Sequence, residues 1–126
     1  MRESIRDKGR LEHIMQSINN LQNFSKGKSL EDLQKDNILY YALVKNIEII
    51  GEAAYMLSEE FKKTHTDTNW RDIISMRHVL VHGYYAISPG HVWSVIEHDI
   101  EPLKQQTIQY LAEFPSSTIF CTDGCS

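Results

Sequence analysis

The run Arg77-His78-Val79-Leu80-Val81-His82-Gly83-Tyr84 places a permanent cation, two imidazoles and a phenol side by side at the end of a predicted helix. Arginine presents a planar fork of donors that matches a phosphate. Histidine exchanges a proton near neutral pH. These residue types together suit phosphate handling coupled to proton transfer. The apolar residues between them, Val79, Leu80 and Val81, require the same segment to pack on a core.

On a helix turning about 100° per residue, His78 and His82 are i, i+4 neighbours on one face, and Arg77 lies roughly 140° from His82. Within one ideal helix Arg77 and His82 therefore converge poorly on a small ligand. Two arrangements would bring them together. The helix ends near His82, freeing its side chain to swing, or two chains pair so that two arginines and two histidines share one cleft. A twofold dimer is the commonest oligomer. A bland reading also exists: an arginine or histidine near a helix C-terminus interacts favourably with the helix dipole. His78-x-x-x-His82 is in addition a metal-ligand spacing. No nearby carboxylate or thiolate completes a set, so no metal is expected. Glu48 and Glu52, i and i+4 in a strongly apolar context, either face the cleft and pair with Arg77 or lie on a solvated edge, the first being preferred. His13, His65, His91 and His98 are scattered and are expected to be solvated or at a rim.

The elements that position these residues follow the helical period throughout. A first helix runs from Ile5 to about Phe24, with Ile5, Leu11, Ile14, Met15, Ile18, Leu21 and Phe24 as its stripe. After Lys26-Gly27-Lys28, Ser29 and Asp32 form a capping-box pattern for a short helix. The longest segment, Asp36 to about Phe61, is apolar over most of its circumference (Ile38, Leu39, Ala42, Leu43, Ile47, Ile49, Ile50, Ala53, Ala54, Leu57), as a central bundle helix would be. Gly51 interrupts it at a cost relative to alanine, which a close helix crossing would explain. Lys62 to Asn69 reads as a loop, with Asn69 or Thr68 as cap for a helix from Trp70 to about His82 that carries Trp70, Ile73, Ile74, Arg77 and Val81 on one stripe. Gly83 suits a helix stop. Tyr84 to Gly90 reads as a loop, and Ser88-Pro89 as a helix start. Val92, Trp93, Val95, Ile96, Ile100, Leu103, Ile108 and Leu111 define the last helix, which Pro102 kinks or divides. The expectation is an all-α, up-and-down bundle of four to five helices over residues 1–114, with 115–126 as a flexible tail.

A chain of 126 residues is one domain by length and can bury a core without staples. Its 13 Lys+Arg against 17 Asp+Glu give a net charge of −4, which argues against coating nucleic acid by charge alone. Any RNA contact must be local. Cys121 and Cys125 lie in the tail, where an unpacked, roleless pair is expected. The charged start Met1-Arg2-Glu3-Ser4 leads straight into an amphipathic helix, and no apolar run has membrane-spanning length, so no membrane and a cytoplasmic location are expected.

At Arg77, His78, His82 and Tyr84 the chain resembles the HEPN superfamily and, within it, the HepT-like toxins of bacterial toxin–antitoxin pairs. Arg77, the polar His78, and then His82-x-Tyr84 follow the family motif in order and spacing. Four further blocks carry the resemblance: Arg6-Asp7-Lys8-x-Arg10-Leu11-x-His13-Ile14, Ile47-Glu48-Ile49-Ile50-Gly51-Glu52-Ala53-Ala54, Trp70-Arg71-Asp72-Ile73-Ile74-x-Met76-Arg77, and Val92-Trp93-x-x-Ile96-x-x-Asp99-Ile100 with Leu103. Lys45 stands where arginine is usual, and His78 and Gly83 where Asn and Asp are frequent.

The resemblance implies a metal-independent endoribonuclease that needs no cofactor, and the spacing of Arg77 and His82 leads us to expect a homodimer. His82 would be the general base on a ribose 2′-hydroxyl and Arg77 the stabiliser of phosphoryl charge. His78, or the His82 of a second subunit, would supply the leaving-group proton, with Glu48 and Glu52 in support. It further implies that a partner minimal nucleotidyltransferase, the antitoxin, attaches AMP to Tyr84, where added bulk and negative charge would repel RNA. Two other readings compete: a non-catalytic nucleotide- or RNA-binding helical module that assists a nucleotidyltransferase, and a metal-binding bundle through His78 and His82.

Overall fold

The computed structural model describes residues 2–82 and 88–114, without the side chains at positions 2–4, 81 and 82. Among these residues there are seven helices and no strand: α1 (Arg2–Ser25), α2 (Leu30–Lys35), α3 (Asn37–Met56), α4 (Glu59–Thr64), α5 (Trp70–His82), α6 (Pro89–His98) and α7 (Ile100–Ala112). α3 lies between α1 and α5, and α1 between α3 and α7, while α6 packs on α7 and α2. Leaving out the short α2 and α4 and joining α6 to α7 recovers the four long rods of the expected all-α bundle. No described helix is long and apolar enough to cross a membrane.

The apolar stripes close onto one core. Leu11, Ile14, Ile18 and Leu21 of α1 and Leu43 and Ala54 of α3 are completely buried. Ile5 and Phe24 are not part of it, at 68% and 41% exposed. Measured by helical rotation, Ile5 sits about 120° and Phe24 about 140° from Leu11, off the buried face. Ile38, about 140° from Leu43, is likewise 84% exposed.

Local signals set the element boundaries. Ser29 and Asp32 make the reciprocal capping box of α2. Asp36 caps α3 by accepting from the Leu39 amide. Ser88 caps α6, with Pro89 in its first turn. α6 and α7 are separate helices meeting at Asp99, and Pro102 sits in the first turn of α7, where its missing N–H costs nothing. The long segment expected to reach Phe61 instead breaks at Leu57, and Lys62–Thr64, expected as loop, belong to α4. The cause is a tertiary contact. Ser58 caps α4 by accepting from the Phe61 amide at 3.1 Å. Its own N–H and hydroxyl donate to the buried Asp7 carboxylate at 2.8 and 2.7 Å. Periodicity carries no trace of a partner 51 residues away. The positions of Gly83 and of the tail, with Cys121 and Cys125, lie outside the described residues.

Candidate active site

Gly51 determines where the motif sits. A Cβ built on it would collide with the Arg77 Cβ and come within 3.1 Å of the Arg77 Cα. α3 and α5 therefore touch backbone to backbone at this point, as the interrupted helix pattern anticipates. The hydrogen side chain of Gly51 lets Arg77 lie across α3 and reach Glu52 and, one turn on, Tyr55.

There Arg77 Nε stands 2.7 Å from Glu52 Oε1. The distance makes an ion pair, but the N–H is not directed along it: Nε is buried and makes no hydrogen bond among the described residues. The guanidinium carbon lies 5.3 Å from the centroid of the Tyr55 ring, a cation–π contact that covers its other side. Glu48 pairs with Lys45 at 2.8 Å, and that hydrogen bond holds the Lys45 ammonium above its usual pKa.

These groups wall a groove of about 400 Å³ lined by Arg10, His13, Lys45, Glu48, Ile49, Glu52, Ala53, Met56 and Arg77. Of the expected site residues the structure thus brings together Arg77, Glu48 and Glu52, with Glu52 as the direct partner of Arg77. His78 is exposed on the next position of α5. α5 is described as far as His82. The His82 side chain and Tyr84 lie outside the described residues.

Three groove residues carried no site role in the sequence reading: Arg10 and His13, named only in the opening block of the resemblance and, for His13, as a solvated or rim residue, and Lys45, noted only as standing where arginine is usual. Arg10 and His13 are i, i+3 on the polar flank of the α1 stripe, and Lys45, Glu48 and Glu52 repeat at three and four on α3. That shared spacing was the available signal. His65, by contrast, is neither solvated nor near the groove. It stacks on Phe61 with ring centroids 3.8 Å apart. Its Nε2 is 2.7 Å from Glu113 and its Nδ1 2.8 Å from the Phe61 carbonyl. Burial opposes its charged form, but the Glu113 and Phe61 contacts, with the more distant Asp7 charge, outweigh that and raise its pKa. No group of three or more potential metal ligands occurs among the described residues.

An all-α bundle with an arginine seated in the second half of α5, beside a charged groove, defines a candidate phosphate-handling enzyme. Comparison with known proteins identifies which kind. The family model described as Ribonuclease HepT-like matches residues 14–110, and the chain belongs to this family of the HEPN superfamily. A protein of Caldanaerobacter subterraneus subsp. tengcongensis that carries a provisional RNase name is 39% identical over 101 residues, covering 80% of this chain and 90% of its own. A provisionally named ribonuclease HepT of Thermococcus cleftensis is 32% identical over 94 residues, 75% of this chain and 86% of its own. A Methanocaldococcus jannaschii protein named for both gamma-glutamylcyclotransferase and provisional RNase functions is 32% identical over 103 residues, which span 82% of this chain but 46% of that longer one. No solved structure matches.

Proposed function

We propose that this chain is a HepT-type endoribonuclease that cuts RNA without a metal ion. The observation that carries the reading is the seating of Arg77 on Gly51, which presents a guanidinium to the groove five residues ahead of His82 on a helix whose sequence matches the ribonuclease family. His82 takes the proton from a ribose 2′-hydroxyl. The 2′-oxygen attacks the adjacent phosphorus, the bond to the 5′-oxygen breaks, and a 2′,3′-cyclic phosphate and a 5′-hydroxyl result. Arg77 stabilises the charge that grows on the phosphoryl oxygens. His78, or the His82 of a second subunit, returns a proton to the leaving oxygen. Unpaired RNA is the substrate class, because in-line attack needs a flexible backbone and splayed bases.

The active form in this reading is a twofold homodimer with the two motifs facing one cleft. The half-exposed Tyr55 and Met56 beside Arg77 supply apolar surface for such pairing. The same reading makes the chain the toxin of a cytoplasmic pair. A minimal nucleotidyltransferase is the antitoxin, and it attaches AMP to Tyr84. The experiment is cleavage of unstructured RNA in excess chelator, with end-group analysis. Cyclic phosphate ends that disappear with His82→Ala are expected; hydroxyl 3′ ends, or no cutting without added metal, would overturn the mechanism. A mass gain of one AMP on the Tyr84 peptide, after incubation with the partner and ATP, tests the modification. An unchanged peptide mass would overturn it.

A further inference from the structure

We propose that Arg10, His13 and Lys45 form a second phosphate subsite of the groove, which takes the backbone phosphate next to the one held by Arg77. The inference rests on the ribonuclease reading and extends it to residues of α1 and α3 outside the motif. Four observations converge. These side chains line the same cavity of about 400 Å³ as Arg77, a size that accommodates a nucleotide unit. Its permanent charges are Arg10, Lys45 and Arg77 against Glu48 and Glu52, a local excess of one positive charge on a chain whose net charge is −4. Both carboxylates are already engaged, Glu48 with Lys45 and Glu52 with Arg77, so Arg10 has no carboxylate of the groove to itself. Finally, Nε of Arg10 is buried and makes no hydrogen bond among the described residues, whereas Nε of Arg77 already has the Glu52 carboxylate 2.7 Å away.

A buried guanidinium N–H without an acceptor is unfavourable unless something fills the role. Phosphate oxygens are the acceptors that an arginine fork matches best. Arg10 from α1 and Arg77 from α5 line one groove along α3, so a single strand lying in it would meet a guanidinium from each helix. Lys45, with its side chain 67% exposed, adds a mobile point charge at the rim. His13 adds a donor one helical turn from Arg10.

The test is binding of a fluorescent, uncleavable 2′-O-methyl RNA strand to the full chain across a series of salt concentrations. The proteins compared are the unaltered chain, the double variant Arg10→Gln/Lys45→Gln, and Lys28→Gln, an exposed lysine outside the groove. The double variant is expected to bind about tenfold more weakly at low salt. Its slope of log affinity against log salt should fall by about 0.7, the value of one single-strand phosphate contact. Lys28→Gln should change neither. Equal effects from Lys28→Gln, or no effect from the double variant, would overturn the subsite. Lys45→Gln alone, at a mostly exposed position, gives a partial loss even if the Arg10 change impairs folding. Cutting of ordinary RNA by the unaltered chain is read in parallel. If it cuts nothing while the slope still falls at Arg10 and Lys45, the ribonuclease reading fails and the subsite stands. If it cuts and the slope is unmoved, the reverse holds.

Discussion

At the entrance to α5 a histidine sits among aromatic rings with both ring nitrogens engaged; near its exit Arg77 lines a groove in which Arg10 keeps a buried N–H without a hydrogen bond among the described residues. Around the entrance, Phe61, His65, Trp70, Tyr110 and Phe114 pack ring to ring. The Trp70 indole donates to the His65 carbonyl at 2.8 Å, and Thr68 bonds both Gln106 and Tyr110 at 2.6 and 2.8 Å. Around the exit, Arg77 is held by the Glu52 charge and the Tyr55 ring, while Nε of Arg10 on the same groove is buried without a hydrogen bond among the described residues. The two regions use similar side-chain chemistry. Complete satisfaction marks the first as structural, since a buried polar group is stable only when bonded. The unbonded Arg10 Nε marks the second as a place where an outside acceptor is wanted.

The contrast makes graded predictions. Phe61→Ala should cost about 3–5 kcal/mol of stability by emptying the aromatic cluster, while the cutting rate per folded molecule stays within about twofold. Denaturant melts paired with single-turnover assays measure both. Asp7→Ala removes the carboxylate that fixes the α3–α4 break, leaving Ser58 without two bonds to a charged partner. A loss of about 1.5–3 kcal/mol is expected in the same melts. Gly51→Ala belongs to the other region. Its methyl must push Arg77 and α5 away, so about 1–3 kcal/mol is lost, and RNA cutting falls more than stability explains. Unchanged cutting would mean that the seat of Arg77 is immaterial. The smallest effect is electrostatic. His65 has a raised pKa, so its charged contacts stabilise the fold fully below its unfolded value of about 6.5 and are lost as pH rises through the higher folded value. With Glu113 about half exposed, the contribution is about 1 kcal/mol or less. Melting temperatures between pH 6 and 8 should fall more steeply for the unaltered chain than for Glu113→Gln.

The helices and most of the core were legible because burial on one face imposes the 3.6-residue period directly on residues such as Leu11, Ile14, Ile18 and Leu21. The capping residues Ser29, Asn69 and Ser88 were nearly as plain, since their bonds reach only three residues ahead. What escaped was set by distant partners. The break at Leu57 depends on Asp7, and the enclosure of His65 on Glu113, neither of which leaves a mark on local spacing. In the site, Arg77 was conspicuous by type and Gly51 by its cost to the helix, yet their contact is a fact of how α3 crosses α5. Arg10 and Lys45 matched or departed from the family pattern and His13 read as a rim residue, but none had a site role until the packing of α1 on α3 gathered them onto one groove.

The central claim is that the guanidinium seated on Gly51 handles the phosphate that is cut. Single-turnover cleavage of unpaired RNA in chelator by Arg77→Ala and Arg77→Lys, with melts confirming folding, tests it most directly. Loss of one charge-stabilising donor should slow cutting by about 10²–10³-fold, with lysine restoring little because it lacks the fork. Cutting by a folded Arg77→Ala protein at the unaltered rate would contradict it.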